Sequence, residues 1–233
     1  MLAKNKSAPP KHIGFIIDGN RRWAKDRGLK PYEGHYAGYE VVKDVLIETL
    51  HRGVKYASCY IFSTENWTRP KIEVEKIMEL LLKALHDEAH IFKEENVRLR
   101  IVGRRDRLKP KTVRAIESLE QQTAGNNLGE LLVCLDYGGQ QEIVDAVKEI
   151  VRSGIGPEDI TADLVAANLY APDVPPCDMI VRTSGELRLS GFMLWRASYS
   201  EFMFIDKNWP DMTKQDVSAI LEEYEKRKRR FGG

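Results

Sequence analysis

Six short apolar runs punctuate the chain, at 13–17, 56–62, Val97–Val102, 130–135, 178–181 and 202–205, most of them rich in β-branched or aromatic side chains. Runs this short predict buried strands, since a buried helix needs more residues. Most segments between them carry a helical period instead. Val42, Val45, Leu46 and Thr49 mark one face, and Val74, Ile77, Met78, Leu81, Leu82 and Leu85 mark a longer one. Ile143, Val144, Val147, Ile150 and Val151 mark a third, after Gly138-Gly139. A final helix is predicted to start at a Thr213 cap, with Asp216 three residues on, and to run through Val217, Ile220, Leu221 and Tyr224. Strand alternating with helix predicts the α/β class, with a mostly parallel six-stranded sheet flanked by helices.

At 233 residues with no linker-like stretch, the chain reads as one domain over 12–233. Residues 1–11 carry Lys, Ser and Pro without an apolar core, and are expected to be a flexible tail. Hydrophobic residues at 42% and charged residues at 30% provide a core and a wet surface. No apolar run approaches the roughly 20 residues of a membrane span. The three cysteines form no Cys-x-x-Cys pair and fit a reducing cytoplasm. A net charge of +1 without aromatic interleaving argues against nucleic acid as a partner. The basic run at 226–230 either complements a helix dipole or touches phosphate or a membrane surface.

In such a sheet, ligands bind where the carboxyl ends of the strands converge. Asp18-Gly19-Asn20-Arg21-Arg22-Trp23 follows the first strand, and 63–70 (Ser-Thr-Glu-Asn-Trp-Thr-Arg-Pro) follows the second. Arg182-Thr183-Ser184-Gly185-Glu186-Leu187-Arg188-Leu189-Ser190 follows the fifth, and Glu201 opens the sixth. One carboxylate can hold a divalent metal, guanidiniums grip phosphate oxygens in a planar fork, and glycine allows close approach. The combination points to a phosphorylated substrate with Mg²⁺, although Asp-Gly-Asn is also ordinary turn chemistry. Arg182, Arg188 and Ser190 suit a diphosphate, or form a surface loop paired with Glu186. Asn66 can relay a proton or cap a turn, and Trp23 and Trp67 can wall an apolar site or pack in the core.

Several other signals lead nowhere. His86 and His90 lack the Glu that a zincin helix needs after its first histidine, so they read as a solvated face. Neither a Gly-x-Gly-x-x-Gly fingerprint nor a Walker Lys-Ser/Thr is present, which argues against dinucleotides and nucleoside triphosphates.

Ordered blocks then carry a resemblance. They are Asp18-Gly19-Asn20-x-Arg22-Trp23-Ala24, Gly34-His35-x-x-Gly38, Phe62-Ser63-Thr64-Glu65-Asn66-Trp67-x-Arg69-Pro70, Tyr137-Gly138-Gly139, 182–190, Phe192-x-Leu194-Trp195, Tyr199-Ser200-Glu201, Trp209-Pro210-Asp211 and the terminal 229–233. From about His12 to the end the chain resembles a cis-prenyltransferase of the undecaprenyl diphosphate synthase family. The resemblance implies a homodimeric, cytoplasmic enzyme, with peripheral membrane contact for product release. It would condense isopentenyl diphosphate with an allylic diphosphate such as farnesyl or geranyl diphosphate, giving a Z-polyprenyl diphosphate with Mg²⁺ as cofactor. By position, Asp18 and Asn66 would be catalytic, and Asp18 and Glu201 would contact the metal. Gly19, Asn20, Arg21, Arg22, Trp23, His35, Ser63, Thr64, Glu65, Trp67 and Arg69 would surround the allylic substrate, and Arg182, Arg188, Leu189 and Ser190 the isopentenyl diphosphate.

Four positions depart from the family pattern: Pro31 and Gln140 stand where Arg is usual, Gly191 where Asn is, and Arg196 where Gln is common. They bear on substrate preference. Ile61 occupies a place where relatives often carry Ala, and its bulk would narrow a product tunnel. Two rival readings are a non-catalytic partner subunit of a heteromeric cis-prenyltransferase and a phosphate-binding module. The intact Asp18, Asn66 and arginine loops favour catalysis.

Overall fold

The computed structural model describes residues 8–227. Strands β1 (His12–Ile16), β2 (Tyr56–Ser63), β3 (Val97–Val102), β4 (Gly129–Tyr137), β5 (Met179–Thr183) and β6 (Glu201–Ile205) form one sheet in the order β3-β4-β2-β1-β5-β6. Every pairing is parallel, so all six carboxyl ends share one edge. Parallel neighbours need crossovers, and these are supplied by α1 (Asn20–Asp26), α2 (Pro31–His51), α3 (Lys71–Asp87), α4 (Ala89–Glu94), α5 (Pro110–Thr123), α6 (Gly139–Arg152) and α7 (Ala162–Ala167). Helix α8 (Lys214–Lys226) closes the fold, with Asp216 accepting from the Thr213 amide at 2.7 Å as the cap signal predicts.

Alternation along the strands divides the core. Phe15, Cys59, Leu131 and Val181 face one side, where Val45, Leu46, Ile77, Leu81, Ile116 and Val217 bring in α2, α3, α5 and α8. Ile16, Tyr60, Leu132 and Ile180 face the other, where Phe192 stacks on Tyr60 with ring centroids 4.9 Å apart. The predicted faces of α2, α3 and α8 are the ones that turn inward.

Helix α6 departs from expectation. Of its predicted stripe only Ile150 is buried, while Val144, Val147 and Val151 stay exposed and Glu142 turns inward instead. A polar network fixes this rotation. Glu142 accepts from Arg196 Nη1 at 2.9 Å, Tyr137 Oη at 2.5 Å and the Tyr170 amide at 3.1 Å, and Arg196 also donates to the carbonyls of Tyr170 and Ala171. A buried carboxylate with three donors outweighs the pull of three valines. The amino terminus also differs: Pro10 is buried, Lys11 donates its amide to Asp178 at 2.6 Å, and its carbonyl accepts from Lys55 and Tyr56. The expected tail is therefore anchored by its last residues, and residues 1–7 lie outside the described ones.

Arg196→Leu, which strips the buried Glu142 of its cation, should lower the unfolding free energy by about 3–5 kcal/mol in urea titration. A change of about 0.5 kcal/mol, the size of an ordinary surface substitution, would mean that this network does not hold α6.

Candidate active site

The turn after β1 shows why the sequence there reads Asp-Gly-Asn. Gly19 has φ 104°, and a Cβ on it would press on Asn208 Oδ1 and Ser184 Oγ. That left-handed residue lets α1 begin at once, so Arg21 and Arg22 stand on a helical first turn and not on the expected loop. The helix is held close to α2, because a Cβ on Gly34 would collide with the carbonyl oxygen of Asn20. This contact explains the spacing between the Asp-Gly-Asn block and the Gly-His block.

Arg182, at the end of β5 and 4% exposed, is the hub. Its Nη2 donates to Asp18 Oδ2 at 2.8 Å, and its Nη1 donates to the Arg188 carbonyl at 2.5 Å and to Ser190 Oγ at 2.9 Å. Asp18 also accepts from the Gly19 amide at 2.7 Å and lies 3.6 Å from Arg22. Arg22 donates to the Ser184 carbonyl at 2.8 Å and pairs with Glu186, which also holds Arg188. Ser184, Ser190 and Met193 adopt positive φ, so the loop after β5 stores backbone strain where it meets the site.

A second cluster forms around Glu73 on α3, which the sequence reading did not single out. It is 6% exposed and gathers Arg69 at 3.3 Å, His35 at 3.5 Å and Arg21 at 3.7 Å from three other segments. The available signal was its place one helical turn after Arg69. Burial lowers the His35 pKa, and the Arg69 cation lowers it further, so the ring is neutral near pH 7. Asn66 Oδ1 accepts from the Ser63 amide at 3.2 Å, which completes the capping box of a 3₁₀ turn (Thr64–Thr68) that Ser63 caps and still leaves its Nδ2 for a ligand.

Both clusters line one cavity of about 1460 Å³, well above the ~300–1,000 Å³ of a typical ligand pocket. Asp18, Gly19, Asn20, Arg21, Arg22, His35, Ser63, Glu65, Asn66, Arg69, Arg182 and Ser190 form its polar mouth, and Ile61, Ile77, Leu81, Leu85, Ile101 and Val133 line its apolar interior. Three buried side-chain polar atoms lack a hydrogen-bond partner among the described residues: Asn20 Oδ1, His35 Nε2 and Arg182 Nε. All three belong to residues of this wall. Each of these atoms is itself shielded, Asn20 Oδ1 against Gly38 and His35 Nε2 beside Glu73, so the polar character open to a ligand comes from the arginines of the mouth. Pro31, Gln140 and Gly191 also line the cavity, whereas Arg196 belongs to the α6 network.

Other expected site residues fall outside this wall. Trp67 donates to Asp136 at 2.8 Å and packs edge-on against Phe62, and Trp23 donates to Asp211 at 2.7 Å beneath Arg27. Both tryptophans support the site from behind. Thr64 donates to Glu65, Leu189 packs against the core of the second sheet face, and Arg188 is largely exposed beside the mouth. Glu201 stands apart from this mouth within the chain. It pairs in register with Met179 at the amino end of β6, three residues and about 10 Å of strand below the level of Arg182, and it is bound by Arg227 at 3.1 Å. A residue that opens a parallel strand lies on the edge opposite one that follows a strand, so within this chain Glu201 and Asp18 do not meet. Residues 228–233, including the terminal block of the resemblance, lie outside the described ones.

The donor set suits a Mg²⁺ ion shared with its substrate. Among the described residues no three His, Cys, Asp or Glu side chains gather into a metal cage, and Mg²⁺ commonly rests on one or two carboxylates plus substrate phosphates. Asp18 at the mouth offers that single carboxylate.

Comparison with known proteins agrees with this geometry. Residues 16–232 match the family model described as putative undecaprenyl diphosphate synthase. An isoprenyl transferase of Thermotoga maritima is 44% identical, covering 96% of this chain and 97% of its own length. A decaprenyl diphosphate synthase of Mycobacterium leprae is 43% identical, covering 96% of this chain and 77% of its own. Among solved structures, lavandulyl diphosphate synthase from Lavandula x intermedia in complex with dimethylallyl diphosphate superposes with a TM-score of 0.93 at 29% identity, covering 97% of this chain and 99% of that one. A probable undecaprenyl diphosphate synthase from Campylobacter jejuni gives 0.82, also at 29% identity, with 96% and 99% covered. A polar mouth built on Asp18 and Arg182, an apolar interior and full-length similarity to these enzymes lead to one conclusion: the chain is an isoprenyl transferase of the undecaprenyl diphosphate synthase family.

Proposed function

We propose that this enzyme condenses isopentenyl diphosphate with an allylic diphosphate, farnesyl or geranyl, to make a Z-polyprenyl diphosphate in a Mg²⁺-dependent reaction. The carrying observation is the cavity itself, whose arginine-lined mouth opens into hydrocarbon walls. It matches a molecule with a diphosphate head and an isoprenoid tail. Arg21, Arg22 and the amides at the start of α1 face the allylic head, and the helix terminus adds favourable potential for an anion. Arg182, Arg188 and Ser190 hold the isopentenyl diphosphate. A divalent cation at Asp18 supplies positive charge to the departing diphosphate when bound.

Chemistry follows from position. The allylic C–O bond breaks as the isopentenyl double bond forms the new C–C bond, and a proton leaves the resulting cation. Guanidiniums already fixed around the departing charge lower this barrier without reorganising, and two anchored heads convert the coupling to an intramolecular one. Asn66, held by Ser63, presents its Nδ2 at the mouth to orient the substrate, and the second lone pair of its Oδ1, or the released diphosphate, accepts the proton.

Phe202 and Phe204 on edge strand β6 are exposed and stacked on one another, and the exposed valines of α6 add apolar surface. Such a surface suits a second copy of the chain, and we assign the enzyme as a homodimer. Three buried free thiols suit a reducing cytoplasm. Among the described residues no helix is long and apolar enough to cross a membrane, and contact with one is assigned to release of the apolar product. The role of non-catalytic partner subunit fits poorly with a complete mouth.

Asp18→Ala should lower kcat by about 10²–10⁴ with the circular dichroism of the folded chain kept and the melting temperature lowered, since the buried Arg182 loses its anion. A variant with near-normal Mg²⁺-dependent turnover would remove Asp18 from the chemistry.

The Arg188 side chain pairs with Glu186 and not with Asp18, so Arg188→Ala should raise the KM for isopentenyl diphosphate about ten- to hundredfold, as loss of a charge-assisted bond implies, and change the allylic KM less. Arg182 bonds both Asp18 and Ser190, so its replacement should impair both substrates. Steady-state kinetics with each substrate varied in turn checks both expectations, and equal effects of Arg188→Ala on the two KM values would contradict the assignment.

A further inference from the structure

Helices α2 and α3 form the cavity wall that faces the sheet, and polar side chains bring them together at two places. Near the mouth, His35 lies 3.5 Å from Glu73. Far inside, Glu88 sits at the break between α3 and α4, with φ −101° and ψ 0°, and accepts from Tyr39 Oη at 2.6 Å and from Lys43 Nζ at 3.0 and 3.2 Å. Fifteen residues of α3 separate the two carboxylates, about 22 Å at 1.5 Å per residue. The wall between them is hydrocarbon, with Val42, Ile77, Leu81 and Leu85 lining the cavity.

Tyr39, Lys43 and Glu88 line the same cavity beside Phe92 and Leu119, so a charged cluster stands in its apolar part. Burial pushes the Glu88 carboxyl upward, but the Tyr39 and Lys43 donors outweigh it and hold the group below the usual carboxylate range. An alkyl chain pressed against this cluster would strip an ion pair of water without offering it a bond, which is unfavourable. Lys43 keeps a quarter of its side chain exposed, so water reaches the cluster. Here the wall is closed by polar contacts that water can replace, not by packed hydrocarbon.

We propose that the Tyr39–Lys43–Glu88 clasp is a length gate for the growing prenyl tail, bounding the chamber while closed and letting the tail pass between α2 and the α3–α4 break when open. These three residues thus determine specificity through the product end of the cavity, away from the diphosphates. The proposal rests on the polyprenyl-forming activity argued above.

The test is chromatography of products made from farnesyl and isopentenyl diphosphates by wild type, Glu88→Ala, and the Tyr39→Phe/Lys43→Met double variant. Both variants should raise the share of products longer than the wild type's longest by about tenfold or more, the weight of one lost charge-assisted hydrogen bond. KM for both diphosphates should stay within about twofold, because the ground-state head contacts are untouched. A merely structural role would lower the melting temperature and turnover without lengthening products. Unchanged or shorter products in both variants would overturn the gate. If Glu88→Ala fails to fold, the double variant, which keeps side-chain bulk, decides alone. Wild type that forms no polyprenyl product would refute the underlying activity, whereas wild type that elongates beside unaltered variants would refute the gate only.

Discussion

A guanidinium buried to 4% exposure needs an anion, and Asp18 supplies it to Arg182 across the β1–β5 pair. Much of the site depends on that contact. It requires β1 and β5 to be parallel neighbours with Ile16 opposite Arg182, which the central sheet order provides. It also requires the turn at Gly19 to bring the carboxylate back over the sheet edge, and the loop after β5 to fold so that Ser190 and the Arg188 carbonyl share the other guanidinium nitrogen. Two segments more than 160 residues apart in sequence thereby become one polar platform. Breaking the pair would leave a buried charge, which commonly costs about 3–5 kcal/mol, so stability and function draw on the same interaction.

The cavity separates two chemistries that would otherwise interfere. Charge collects at the carboxyl edge, where arginines from α1, the loop after β2 and β5 converge, and the hydrocarbon interior lies between the sheet face and α2, α3 and α5. An isoprenoid tail in that interior keeps its apolar surface from water while the head stays among donors. Glu73 stabilises the rim by balancing Arg21 and Arg69, with the His35 ring beside it. The rim is otherwise a concentration of like charge, and one buried carboxylate keeps it from flying apart.

Much of this was legible in the sequence because strand ends follow apolar runs, and parallel strands place all such ends together. Asp18, Arg22, Asn66, Arg182 and Ser190 were found that way, and the structure brings them to one wall. The same logic does not bring Glu201 to this wall within the chain, since a residue that begins a parallel strand belongs to the far edge. Glu73 stayed hidden because its role depends on three segments meeting. The inward face of α6 was misread because Arg196, more than forty residues later, decides which side of the helix a buried Glu142 occupies. The turn at Gly19 read as a loop because its residues suit both a turn and a helix start, and only the packing of Gly34 on Asn20 selects the second. Local periodicity sees strands and single helical faces, and long-range polar pairing remains invisible to it.

The central claim is that this chain alone joins isopentenyl units onto an allylic primer at the Asp18–Arg182 platform. The most direct measurement incubates the purified chain, with no partner protein, with radiolabelled isopentenyl diphosphate, farnesyl diphosphate and Mg²⁺, with and without a chelator, and resolves the extracted products by chain length. The account predicts labelled Z-polyprenyl diphosphates that disappear with the chelator. Saturable binding of both diphosphates with no labelled polyprenyl product would contradict it.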